Sequence, residues 1–108
     1  MEWESSDPEC DWFVAVQGGE MVGIVRLTPD ARIGRMAVLA DWRNRGIGAG
    51  LLDAVLERAN SRGLASVELH AQAHAIGFYE RFGFHCVGPE FDEAGIPHRH
   101  MIKNMRGQ

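Results

Sequence analysis

Arg43-Asn44-Arg45-Gly46-Ile47-Gly48-Ala49 decides the reading of this chain. It follows a strand-like apolar run, Ile33 to Leu39, and opens a stretch of helical period, so its glycines fall where a new helix leaves its first amides uncovered. Those amides lack intrahelical acceptors and carry partial positive charge, which suits phosphate oxygens. Gly46 and Gly48 permit a tight turn and close approach of a ligand, while Arg43 and Arg45 add permanently charged donors. The stretch reads as a pyrophosphate cradle at the C-terminal end of a strand.

A Gly-x-Gly at a helix start also occurs as plain loop chemistry or as a dinucleotide fingerprint, and the neighbours decide between them. A Walker loop needs Gly-Lys-Ser/Thr, which is absent here. The dinucleotide fingerprint needs a third small residue where Leu51 stands. Further along comes Phe78-Tyr79-Glu80-Arg81-Phe82-Gly83-Phe84, and the two stretches together are more specific than either alone.

Outward from the cradle, Ile47, Leu51, Leu52, Val55, Leu56 and Ala59 recur at three and four residues, which predicts a long amphipathic helix ending at a left-handed Gly63. Leu64 to Ala71 then alternates as a buried strand, with Val67 and Leu69 facing one way and Glu68 and His70 the other. Strand, helix and strand in that order imply a right-handed parallel crossover. Upstream, Trp12 to Val16 and Met21 to Leu27 form a hairpin across Gly18-Gly19, and Met1 to Asp11 reads as an irregular lead-in. Downstream, a second helix is expected from about His74 to Phe82, then a β-pair of Phe84 to Val87 with His98 to Lys103 joined by a long loop. The class is α/β with a mixed, largely antiparallel sheet in a single domain over residues 1–108.

Composition bounds the function. With 45% apolar and 24% charged residues the chain is an ordinary globular one, and no apolar run approaches the roughly 20 residues of a membrane helix. The acidic start carries no signal-peptide pattern, so a cytoplasmic location is expected and a membrane partner is not. A net charge of −4 without a basic block argues against nucleic acid. Arg32, Arg35, Arg43 and Arg45 suit a compact anion instead. Cys10 and Cys86 read as reduced thiols, and the spacing of His70, His74 and His98 matches no compact zinc pattern, so no metal is expected.

Placed in order, these features resemble the GNAT superfamily of acyl-CoA-dependent N-acyltransferases over Trp12 to Met105. Arg43, Gly46 and Gly48 fit its Arg/Gln-x-x-Gly-x-Gly/Ala pattern, and Phe78, Tyr79, Gly83 and Phe84 fit its Phe-Tyr-x-x-x-Gly-Phe pattern. Ala71-Gln72-Ala73-His74 and Gly95-Ile96-Pro97-His98 look like the ElaA-like branch. Against that family the chain begins near the second strand, without the usual N-terminal strand and helices.

The resemblance implies an N-acetyltransferase that moves an acetyl group from acetyl-CoA to a primary amine of a small molecule or protein by direct attack. It implies coenzyme A contacts at Met36, Val38, Arg43, Arg45, Gly46, Ile47, Gly48, Ala49, Gln72 and Phe78, with the Val38 amide polarising the thioester carbonyl. Tyr79 is the expected general acid, a proton donor at neutral pH to the departing thiolate, the reference pKa values being about 10 for the phenol and about 8.5 for the thiol. His74 ranks first as base, ahead of Glu68, His70 and His98. The rival reading is a catalytically silent acyl-CoA-binding regulatory or interaction module. A homodimer is expected, because the Trp12 to Val16 strand would otherwise present an open edge.

Overall fold

The structure, a computed structural model, describes residues 10–105. The expected irregular lead-in lies outside the described residues except for Cys10 and Asp11, as does Trp3. The chain divides into two compact units between Gly63 and Leu64.

In the first unit β1 (Asp11–Gln17) and β2 (Glu20–Leu27) form the expected hairpin. Gly18 and Gly19 both take positive φ, 58° and 81°, the pair of left-handed residues that a tight hairpin turn demands. β3 (Ile33–Val38) pairs antiparallel with β2, giving the order β1-β2-β3. A register shift between Ile24 and Arg26 marks a bulge in this second pairing.

Helix α1 (Ile47–Ser61) packs on all three strands. Its apolar stripe is buried as the period required, with Leu51, Leu52, Val55 and Ala59 inside. Each fully buried Leu or Val contributes about 1.5–3 kcal/mol. The approach is close because β2 carries Gly23 beneath the helix. A Cβ there would come within 3.0 Å of Leu51 Cδ1 and 3.1 Å of Ile47 Cγ2. At the other end Arg62 donates to Asp11 Oδ2 and to the carbonyls of Thr28 and Pro29, fastening the helix terminus to β1 and the β2–β3 loop. Gly63 closes the helix at φ 73°, as expected.

The second unit is a sheet of order β4-β6-β5 built from β4 (Ser66–Gln72), β5 (His85–Glu93) and β6 (Ile96–Asn104). Val67, Leu69 and Ala71 are buried as the alternation predicted, together with Phe84 and Met101. Every ladder among the described residues is antiparallel, so the strand-helix-strand order holds while the expected parallel pairing does not appear as a ladder. Short connections join β1 to β2, β2 to β3 and β5 to β6, as antiparallel pairing allows, whereas β4 pairs with β6 across residues 73–95.

Two expected boundaries change. The second helix, expected from His74 to Phe82, is a 3-10 turn over Ala73–Ala75 followed by a short α2 (Ile76–Glu80). Gly77 weakens helix propagation in its middle, and Gly83 at φ 93° ends the segment. The expected long loop between Val87 and His98 is instead strand, with only Ala94 and Gly95 in the turn. Gly88-Pro89 looks like a breaker, but the register jump between Val87 and Phe91 makes it a bulge on an edge strand, where a proline is tolerated.

Candidate active site

The turn expected before the helix forms around Asn44 and Gly46. Asn44 and Gly46 both hold left-handed φ, 63° and 81°, turning the chain out of the 3-10 segment Ala40–Trp42 and into α1. Gly46 is the helix N-cap; no side chain caps it, and the first turn contains no acidic residue. The first intrahelical bond runs from the Gly50 amide to the Gly46 carbonyl. The amides of Ile47, Gly48 and Ala49 precede it and therefore have no acceptor within the helix. A phosphate group fits this donor set.

Arg43 and Arg45 are placed differently from each other. The Arg45 guanidinium lies over the Trp42 ring, 4.8 Å from its centroid, so the two residues stiffen the exposed turn. Arg43 donates through Nε to the Val38 carbonyl at 2.9 Å, which ties the cradle to the end of β3. The remaining guanidinium nitrogens keep their positive charge beside the cradle.

Pairing then fixes which way Val38 presents its backbone. The Leu39 amide donates to the Val22 carbonyl, and Val38 is the register partner of Gly23. Hydrogen-bonded and non-hydrogen-bonded pairs alternate along an antiparallel ladder, so the Val38 N–H and C=O both point away from β2. The N–H is directed off the outer edge of β3, beside the carbonyl that Arg43 holds. Met36 lies on the same strand at the bulge.

In the second unit the end of β4 gathers the other expected residues. His74 Nε2 donates to Gln72 Oε1 at 2.6 Å, joining the expected base and the expected amide of the coenzyme site. Phe78 and Tyr79 follow on α2 and meet edge to face at 5.1 Å, and Tyr79 also contacts Phe84 at 5.9 Å. Burial among these rings raises the Tyr79 phenol above its ordinary value, so it stays protonated at neutral pH.

Some of the polar surroundings were not legible beforehand. By register Glu68, His70 and Gln72 share a sheet face with Ile102, His100 and His98 of β6 and with His85, Val87, Phe91 and Glu93 of β5. His70 pairs with Glu93 at 3.0 Å and His100 with Glu68 at 2.6 Å, while Phe91 contacts both His70 and His98. Alternation at 98, 100 and 102 was the available signal. No group of three or more His, Cys, Asp or Glu among the described residues is arranged to hold a metal. Cys86 is a free thiol, and no helix among the described residues is long and apolar enough to cross a membrane.

A family model of the acetyltransferase (GNAT) domain matches residues 2–105. The chain belongs to the GNAT acetyltransferases. The uncharacterized protein YyaT of Bacillus subtilis is 30% identical over 107 residues, covering 96% of this chain and 72% of YyaT. The crystal structure of Escherichia coli ElaA superposes with a TM-score of 0.80 at 27% identity, covering 96% of this chain and 78% of that one. An aminoglycoside 6′-N-acetyltransferase complexed with coenzyme A reaches a TM-score of 0.82 at 20% identity, covering 97% and 78%, a likeness of fold alone. The fold expected from the GNAT resemblance is the fold found.

Proposed function

We propose that the chain is an N-acetyltransferase that transfers the acetyl group of acetyl-CoA to a primary amine of a small molecule or protein by direct attack, acting in the cytoplasm. The observation that carries this reading is the uncapped, acid-free first turn of α1. The amides of Ile47, Gly48 and Ala49 take the pyrophosphate, with Gly46 shaping the turn and Arg43 and Arg45 supplying charge. Met36 to Val38 receives the pantetheine arm along the outer edge of β3, while Gln72 and Phe78 are taken as coenzyme contacts from the family resemblance alone.

The Val38 N–H is the donor to the thioester oxygen as charge develops there, an effect worth roughly 3 kcal/mol of barrier for one preorganised group. Tyr79 protonates the departing thiolate. Its phenol is held in the protonated form, which is the form a general acid needs. The amine gives up its proton to an imidazole at the end of β4, where His74 and His98 are the available rings. We extend the reading to a homodimer formed through β1, an edge strand of its sheet among the described residues that exposes Val14 and Val16.

Thiol release from acetyl-CoA in the presence of a panel of primary amines tests the reading. Amine-dependent release with formation of the acetylated amine supports it. Binding of acetyl-CoA without transfer to any amine identifies a silent binding module instead.

A further inference from the structure

His98 is the buried polar side chain among the described residues, at 6% exposure. Its Nδ1 lies 2.7 Å from the Ile96 carbonyl oxygen. A carbonyl only accepts, so Nδ1 carries the proton, and in the neutral ring Nε2 holds the lone pair. Phe91 stacks on the ring at 6.0 Å and 25°, so its plane is fixed from one side as well.

The ring's place in the fold ties it to the expected site. His98 is the register partner of Gln72, the residue that accepts from His74. β6 packs against the Ala73–Ala75 turn, and α2 with Tyr79 packs against that turn and β4. A buried imidazole of defined tautomer thus stands at the end of the strand that leads to the general acid. His74, by contrast, is exposed and commits Nε2 to Gln72.

We propose that His98, through Nε2, is the base that takes the proton from the acceptor ammonium, an assignment that rests on the acetyl-transfer reading above. The ammonium gives one proton to Nε2 and becomes a neutral amine. The amine lone pair forms the new N–C bond at the thioester carbon as the C=O π pair moves to oxygen. The oxyanion reforms C=O, the C–S bond breaks, and the thiolate takes the Tyr79 proton. The resulting phenolate takes the second proton from nitrogen, giving the amide, and the His98 imidazolium returns its proton to water. One ammonium and one thioester become one amide, one thiol and one proton.

The experiment is the pH profile of kcat/KM for amines, with spermidine, tyramine and a lysine-containing peptide as acceptors. His98→Gln is expected to lower kcat/KM for the amine by about 100-fold or more and to abolish the acid limb, with the KM for acetyl-CoA unchanged. His98→Ala is expected to recover turnover with added imidazole, a rescue that a merely structural ring does not give. Glu68, His70, His85, Glu93 and His100 share the sheet face and His74 borders it, so His70→Gln, His85→Gln and His100→Gln are profiled alongside and are expected to keep the limb. A folded His98→Gln chain that retains the limb overturns the assignment. Nitrogen-15 spectra of the wild-type imidazoles decide the matter without a variant: a neutral Nδ1–H tautomer at pH 8 is expected, and an Nε2–H tautomer or a permanently protonated ring contradicts it. If the wild type binds acetyl-CoA but acetylates none of the three, the transfer reading itself fails along with this one. If transfer occurs and the limb survives, only the base is misassigned.

Discussion

Arg43 donates to the Val38 carbonyl, so the residue expected to bind phosphate also holds the backbone expected to polarise the thioester. The bond runs from the cradle back to the last residue of β3 and leaves the Val38 N–H directed off the strand edge. Charge and position are thereby separable in one side chain. Arg43→Lys keeps charge but cannot reproduce the planar Nε donor.

Arg43→Lys is expected to lower kcat by about tenfold while the affinity for acetyl-CoA falls only a few-fold; Arg43→Ala lowers both. Steady-state kinetics paired with calorimetric titration separates the two effects. Equal losses of binding and turnover in the lysine variant would show that Arg43 serves the phosphate alone.

Tyr79→Phe is expected to reduce kcat by about 100-fold with coenzyme affinity retained. The pH dependence of stability carries a second signature. Burial raises the folded-state pKa of the phenol above its unfolded value near 10, so the neutral form is favoured on folding. Stability linked to this group is intact below the unfolded pKa and declines as pH rises from there through the folded value. Alkaline denaturation should therefore begin at higher pH in Tyr79→Phe than in wild type, and equal onset in the two would argue that the phenol is not desolvated.

Gly23→Val should destabilise the first unit by about 1–3 kcal/mol, because a Cβ at this position already meets Leu51 and Ile47. Ile47 opens the cradle helix, so the same change should weaken acetyl-CoA binding. Urea melts and titration of Gly23→Val and Gly23→Ala measure both, with the smaller alanine giving the smaller loss. A neutral Gly23→Val would mean that α1 does not approach β2 so closely.

A dimer through β1 predicts that Val14→Lys yields monomers, since a charge on an exposed edge strand opposes strand pairing. Light scattering at micromolar concentration gives the mass directly. A wild-type monomer at that concentration removes the dimer from the account.

The residues that needed unusual backbone geometry were the legible ones. Gly46 announced a left-handed turn before a helix, Gly18-Gly19 announced a hairpin, and the spacing of Leu51, Leu52 and Val55 announced the buried stripe. Gly88-Pro89 misled because a bulge and a loop use the same residues, and Ala94 at φ 54° hid the turn that follows, alanine being an unusual occupant of that region. Gly23 gave only the weak signal of a glycine inside a strand, since the helix it admits lies far along the chain. At the site, the cradle and the Phe78-Tyr79 pair were named in advance, whereas the Arg43 bond to Val38 and the fixed tautomer of His98 depend on tertiary placement that no local pattern encodes.

The central claim is that the open first turn of α1 is a coenzyme A pyrophosphate site. Calorimetric titration of acetyl-CoA into the wild-type chain and into Ala49→Glu tests it most directly. The wild type should bind at micromolar concentration, one molecule per chain. A carboxylate in the first turn favours the helix dipole by about 0.3–1 kcal/mol but repels a bound phosphate, so Ala49→Glu should melt no earlier than wild type while binding at least tenfold more weakly. Absence of binding heat in the folded wild type across several temperatures, or undiminished affinity in Ala49→Glu, would contradict the account.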